Sequence, residues 1–126
     1  MPGKFKRKKR AHLRLGRKGE NIACEYLTLK SVKVILRNYR NEYGEIDIIA
    51  LDGNTICFIE VKTRRKTTRS RPAEGYSRRQ QKRVVRASEY YLKKIGNPKL
   101  PVRYDLIEIV MGTWDIRELR YHKNFI

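Results

Sequence analysis

The stretch that decides the fold is Gly44-Glu45-Ile46-Asp47-Ile48-Ile49-Ala50-Leu51-Asp52-Gly53-Asn54-Thr55-Ile56-Cys57-Phe58-Ile59-Glu60-Val61-Lys62. Two apolar runs flank Asp52-Gly53-Asn54-Thr55, and Gly-Asn between such runs signals a two-residue hairpin turn. With Gly53 and Asn54 in the turn, pairing residues sum to 107, so Asp47 falls opposite Glu60 and Glu45 opposite Lys62. Side chains alternate faces along a strand, so these four project from one face of the sheet. Carboxylates directly across from each other repel. A cation must make the arrangement tolerable, and a divalent metal beside the Lys62 ammonium is the candidate.

Near its turn the hairpin is apolar on both sides. Ile49, Leu51, Ile56 and Phe58 share the face of the carboxylates, while Ile46, Ile48, Cys57, Ile59 and Val61 point the other way. A sheet apolar on both faces needs a layer packed on each. The charged residues gather at the end far from the turn, which should open to solvent or ligand.

Outward from the hairpin, residues 1–15 read as a flexible basic arm, followed by a helix from about Gly16 to Lys30 with Ile22, Ala23, Tyr26 and Leu27 on one stripe. Glu20 lies at the edge of that stripe. Val32–Tyr39 is β-branched and apolar, hence a strand, and Asn41-Glu42-Tyr43-Gly44 is turn chemistry. Residues 63–76 lack periodicity and read as a loop. Ser77 is an N-cap for a second helix running to about Ile95, with Val84, Val85, Ser88, Tyr91, Leu92 and Ile95 as its buried stripe. Arg103–Val110 reads as a strand, and Trp114–Leu119 as one that pairs with it, with Trp114 half-buried.

The chain has 126 residues, enough for one domain with a modest core. No apolar run approaches the ~20 residues of a membrane span, and no signal-type segment follows the basic N-terminus. A cytoplasmic protein is expected. Cys24 and Cys57 sit in apolar patterns and fit buried thiols. With His12 and His122 they lack the C-x-x-C spacing of a zinc site.

Lys and Arg number 31 against 13 Asp and Glu, a formal charge of +18. Nine basic residues and no acid fall in residues 1–19; ten basic residues and one acid, Glu74, fall in residues 64–86. Such a field attracts polyanions, and two basic clusters flanking an acidic hairpin favour nucleic acid. Arg64, Arg65, Lys66, Arg78, Arg79, Lys82, Arg83 and Arg86 are the candidate backbone contacts. The apolar faces of the helices are needed for the core, so a membrane-surface role is not expected.

The matching chemistry is phosphodiester hydrolysis. Carboxylate oxygens suit Mg²⁺ or Mn²⁺, and Lys62, two residues past Glu60 on one strand, points into the same space. There it can orient water or stabilise charge building on the phosphate.

The run Gly44-Glu45-x-Asp47, twelve residues, Glu60-Val61-Lys62 resembles the PD-(D/E)xK nuclease superfamily, the restriction-endonuclease-like folds that include archaeal Holliday junction resolvases. More closely, residues 16–126 are similar to the YraN-type family of bacterial proteins, through Gly16-x-x-Gly19-Glu20-x-x-Ala23, Arg37-Asn38-Tyr39-Arg40, Gly44 to Ala50, Phe58 to Arg64, and Tyr104-Asp105. The resemblance implies an α/β domain over 16–126 with an α-β-β-β-α-β core, an extra C-terminal strand and a mixed sheet flanked by helices. It implies that Asp47, Glu60 and the Val61 carbonyl bind metal, that Lys62 handles the attacking water, and that Glu20 is the helical glutamate joining the site. Glu45 is expected to partner Lys62. Gln80 stands where the closer family usually has lysine, which puts the usual charge of that helix in doubt; its amide can still hydrogen-bond a phosphate or a water, as glutamines on this helix of the superfamily do, so it is expected as a supporting residue. For Asp105 a strand-end hydrogen-bonding role is at least as well supported as a catalytic one. The implied activity is metal-dependent DNA cleavage, selective for branched, junction or single-stranded structure, with a homodimer as the resolvase arrangement. The competing expectation is a binding module for DNA, RNA or ribonucleoprotein that keeps the nuclease frame without cutting.

Overall fold

The computed structural model describes the backbone of residues 2–66 and 75–126, with side chains from residue 14 onward. Its elements are α1 (Pro2–Leu29), β1 (Lys33–Asn41), β2 (Gly44–Asp52), β3 (Thr55–Arg65), α2 (Arg78–Lys94), β4 (Val102–Met111) and β5 (Ile116–His122). This is the expected α/β order, with β5 as the extra C-terminal strand. The five strands form one mixed sheet in sequence order, antiparallel throughout except for the parallel β3–β4 pair. That pair needs a crossover, and α2 supplies it.

Each face of the sheet carries one helix. Ala23 and Leu27 of α1 pack with Ile48, Ala50, Cys57, Ile59, Ile107, Ile109 and Met111. On the opposite face Val84, Ala87 and Tyr91 of α2 pack with Ile49, Ile56, Phe58, Leu106 and Tyr76. The two-sided apolar hairpin is thus the middle layer of an α/β/α stack. Gly19 sets how close α1 approaches: a Cβ there would lie 1.9 Å from Thr63 Oγ1 on β3.

Four local expectations are corrected. First, helix α1 begins at Pro2 and not at Gly16, so residues 2–15 of the expected arm are helical. Proline suits a first helical position, and the Lys, Arg, Ala and Leu that follow are strong helix formers. Second, β3 continues to Arg65, because its parallel ladder with β4 extends to Arg65↔Met111; the rest of the loop expected over 63–76 lies largely in residues 67–74, outside those described. Third, Trp114 precedes β5 and is 92% exposed. The fourth concerns Ile46, which packs on the α2 side and not with Ile48. The β1–β2 ladder skips the Asn38–Asp47 position, where Asn38 adopts φ 52°, and strand alternation is lost there.

Among the described residues no helix is long and apolar enough to cross a membrane. Cys24 and Cys57 are both free, Cys57 buried and Cys24 half-buried.

Candidate active site

The hairpin register sums to 107 as read from its turn, from Asp52↔Thr55 to Ile48↔Ile59. The ladder ends there, one pair short of Asp47 and Glu60. Asp47 reaches into the gap between the parting strands, where its Oδ2 accepts the Val61 backbone N–H at 2.8 Å. A residue's N–H and C=O leave a strand toward the same side, so the Val61 carbonyl faces this gap as well.

The Asp47 and Glu60 carboxyls hydrogen-bond each other. Burial, reinforced by the Glu60 charge, pushes the Asp47 carboxyl up to about 8. Burial also raises Glu60, opposed by Lys62. Both shifts favour a neutral carboxyl within the pair, and Lys62 supplies the positive charge beside it. Lys62 Nζ sits 3.3 Å from Glu60 Oε1 and donates to Gln80 Oε1 at 3.4 Å. Its ammonium also lies 5.6 Å from the centroid of the buried Tyr76 ring.

Gln80 is placed by the start of α2. Ser77 caps the helix, accepting from the Gln80 N–H at 3.2 Å, and Gln80 Oε1 accepts from the Ser77 N–H at 3.3 Å. The same side-chain oxygen thus closes a capping box and holds Lys62. A lysine there could do neither.

Two expected members of the site, Glu45 and Glu20, lie close enough to act on the Asp47 charge but are engaged by other partners. Glu45 pairs with Arg40 at 3.1 Å across the β1–β2 ladder and not with Lys62. Glu45 lies directly across from Arg40 in the β1–β2 ladder, while the β2–β3 ladder that would set it against Lys62 ends at Ile48↔Ile59. Glu20 hydrogen-bonds Asn38 and stands 3.9 Å from Arg37, with its pKa raised chiefly by burial. It adds to the negative field at Asp47. Among the described residues no three His, Cys, Asp or Glu side chains form a ready metal cluster. The donor set is Asp47, Glu60 and the Val61 carbonyl. Such a set fits Mg²⁺ or Mn²⁺, because Mg²⁺ binds through one or two carboxylates and keeps several waters.

Asp105 lies apart from this group. It accepts from Arg103 Nε at 2.9 Å, from Tyr121 OH at 2.5 Å and from the Asn124 N–H at 3.0 Å. Arg103 extends the network to Asp52 at 2.9 Å. This is a hydrogen-bonding role within β4 and not at its end, fastening the strand to β5 and to the segment after it.

The basic residues divide. Arg78, Arg79, Lys82, Arg83 and Arg86 are exposed on α2, as are Arg65 and Lys66 at the end of β3. Arg64 is half-buried within β3.

A profile described as "Uncharacterised protein family UPF0102" matches residues 19–109. The chain belongs to UPF0102. A UPF0102 protein of Chlorobaculum parvum is 43% identical over 109 residues, covering 86% of this chain and 84% of its own. Relatives from Symbiobacterium thermophilum and Alkaliphilus metalliredigens are each 40% identical, over 79% and 78% of this chain and 84% and 86% of theirs. The segment matched to UPF0102 contains Glu20, Asp47, Glu60, Lys62 and Gln80, and leaves out β5.

Tyr76 is not singled out by the sequence, and Asn38 enters only within the Arg37-Asn38-Tyr39-Arg40 match, with no role of its own. Asn38 carries a signal in retrospect: an asparagine inside a β-branched run is poor strand chemistry but tolerates a left-handed backbone. In this UPF0102 chain it breaks the β1–β2 ladder beside Asp47 and binds Glu20. Tyr76 carried no such signal, because it precedes the N-cap and its place under Lys62 depends on how α2 docks.

Proposed function

We propose that this protein is a metal-dependent endonuclease that hydrolyses DNA phosphodiester bonds. One observation carries the reading: Asp47 and Glu60 meet as a half-buried, hydrogen-bonded pair beside Lys62, inside a chain of net charge +18. Two acids forced together where positive charge abounds are arranged for a cation. Asp47, Glu60 and the Val61 carbonyl would hold Mg²⁺ or Mn²⁺. When bound, the ion supplies a water of lowered pKa and charge for the scissile phosphate. Lys62, aimed by Gln80, orients the attacking water and stabilises negative charge developing on the phosphate. The arginines and lysines of α2 bind the flanking backbone, which positions the strand without reading its sequence.

The test is incubation of the protein with branched, flapped and single-stranded DNA in Mg²⁺ or Mn²⁺. Cleavage is expected, with Asp47→Asn and Lys62→Ala inactive but still binding. Intact substrates across both ions would refute the catalytic claim. A second reading, a nucleic-acid-binding module without activity, is favoured by the lack of a third carboxylate in the ligand set among the described residues. It predicts no ion binding that depends on Asp47.

A further inference from the structure

Between the β1–β2 turn and α2 lies a cleft of about 500 Å³ that reaches Glu60. Its walls include Arg40 and Tyr43 on the turn side and Arg83 and Gln80 on the helix side. The volume is that of a small-molecule pocket. A nucleotide is a ligand of that size class.

The turn wall is rigidly joined to the helix wall. Asn41 Oδ1 accepts the Tyr43 N–H at 2.9 Å, while Asn41 Nδ2 donates to Ala87 O at 3.1 Å and to Tyr39 OH at 3.2 Å. Gly44 lets the backbones close together, since a Cβ there would lie 3.3 Å from both Arg83 Cβ and Arg83 O. A cleft formed in advance spares its ligand the ordering of both walls.

Tyr43 stands at the rim with 43% of its surface exposed. Its ring lies 5.7 Å from that of Tyr90, tilted by 54°, and Lys94 Nζ lies 5.4 Å from the Tyr90 ring centroid. Tyr43 thus lines the cleft, backed by the Tyr90 ring, which in turn carries the Lys94 ammonium. Simple cover for α2 would account for Tyr90; it does not account for the exposed ring at the cleft mouth. Among the described residues Arg40 is held by a surface ion pair with Glu45, with 75% and 44% of the two side chains exposed, so it can turn to a phosphate at little cost. The acids Glu42, Glu45 and Glu60 also line the cleft. They disfavour phosphate beside them, so Arg40 and Arg83 are the cations of the lining that could meet one.

We infer that this cleft takes a single-stranded stretch of DNA, one base stacked on Tyr43 and its phosphates between Arg40 and Arg83, leading to Glu60. The inference rests on the nuclease reading and narrows its substrate to DNA with an unpaired segment. Stacking on an aromatic ring is tolerant of sequence because every base has a π face.

Fluorescence anisotropy tests it, with a labelled oligothymidylate and a blunt hairpin duplex, both in EDTA, and with cleavage of a flapped duplex in Mn²⁺ measured on the same preparations. Wild type should bind the single strand more tightly. Tyr43→Ala should weaken single-strand binding by about tenfold and leave duplex binding unchanged, while Tyr43→Phe keeps wild-type affinity. Equal loss on both DNAs, or no loss on either, overturns the inference. If Mn²⁺-dependent cleavage persists in that case, the nuclease reading stands without it. If nothing is cut, the nuclease reading falls, and the anisotropy alone decides whether Tyr43 holds a single strand.

Discussion

Lys62 Nζ and Gln80 Oε1 lie 3.4 Å apart, and that oxygen also accepts the backbone N–H of the helix cap Ser77. Helix initiation and the aim of the lysine therefore share one atom. Gln80→Ala is expected to lower stability by about 1 kcal/mol through loss of half the capping box. It should also lower kcat on a flapped DNA more than it raises KM, because Lys62 loses its guide. Urea unfolding and steady-state cleavage separate the two effects. An unchanged kcat would show that Gln80 serves only the helix.

Asp47 makes the ion-free protein less stable as pH rises. The unfolded chain loses this proton near 3.8, whereas the folded chain keeps it up to about 8. Within that window the folded state binds more protons than the unfolded one, so stability falls with rising pH and levels off above it. Asp47→Asn keeps an acceptor for the Val61 N–H and removes the titration. It should raise stability in EDTA by ~1–3 kcal/mol at neutral pH, with little gain in acid. Urea denaturation at several pH values reads this directly, and a destabilised variant at neutral pH would contradict it.

Divalent-ion binding should follow the same proton in reverse. The ion must displace it, so affinity for Mn²⁺ is expected to rise across pH 6 to 8, with proton release on binding. Calorimetry in two buffers of different ionisation enthalpy measures that release. Asp47→Asn should abolish both the binding and its pH dependence.

Gly19 controls the seating of α1 on the sheet. Gly19→Ala would place a methyl group 1.9 Å from Thr63 Oγ1. The expected loss is ~1–3 kcal/mol, as for other overpacked sites. Thr63→Ala in the same chain removes the closest atom and should recover part of it. Additive losses in the double variant would rule out this contact as the cause.

The exposed basic face of α2 should govern salt dependence without governing catalysis. Each of Arg79→Ala, Lys82→Ala and Arg86→Ala is expected to reduce the slope of log affinity against log salt by about one. Titrations of a DNA duplex at several salt concentrations provide the slopes. A variant that keeps its slope does not contact a phosphate.

The hairpin, its register near the turn and the Ser77 cap were legible because each is written in residues a few positions apart. The partner of Glu45 and the face of Ile46 were not. Both followed from extending ideal alternation past Ile48, where Asn38 breaks the β1–β2 ladder and β2 parts from β3. For Gln80 the sequence shows a lost charge and an amide able to bond a phosphate or water, but not its partners. Its value as an acceptor became visible only once α2 stood over β3. Trp114 was read as part of a strand, since its β propensity was visible and its lack of a covering layer was not.

The sequence by itself determined the element order, the two-sided apolar hairpin and the meeting of Asp47 with Glu60, since period and turn chemistry are local properties. Only the tertiary structure decided how that pair is held: by Val61 across the strand gap, by Lys62 alongside, and by Gln80 from a helix that begins sixteen residues after Lys62. The reason is physical. Strand splay and helix docking are set by packing between distant segments, and no spacing along the chain encodes them.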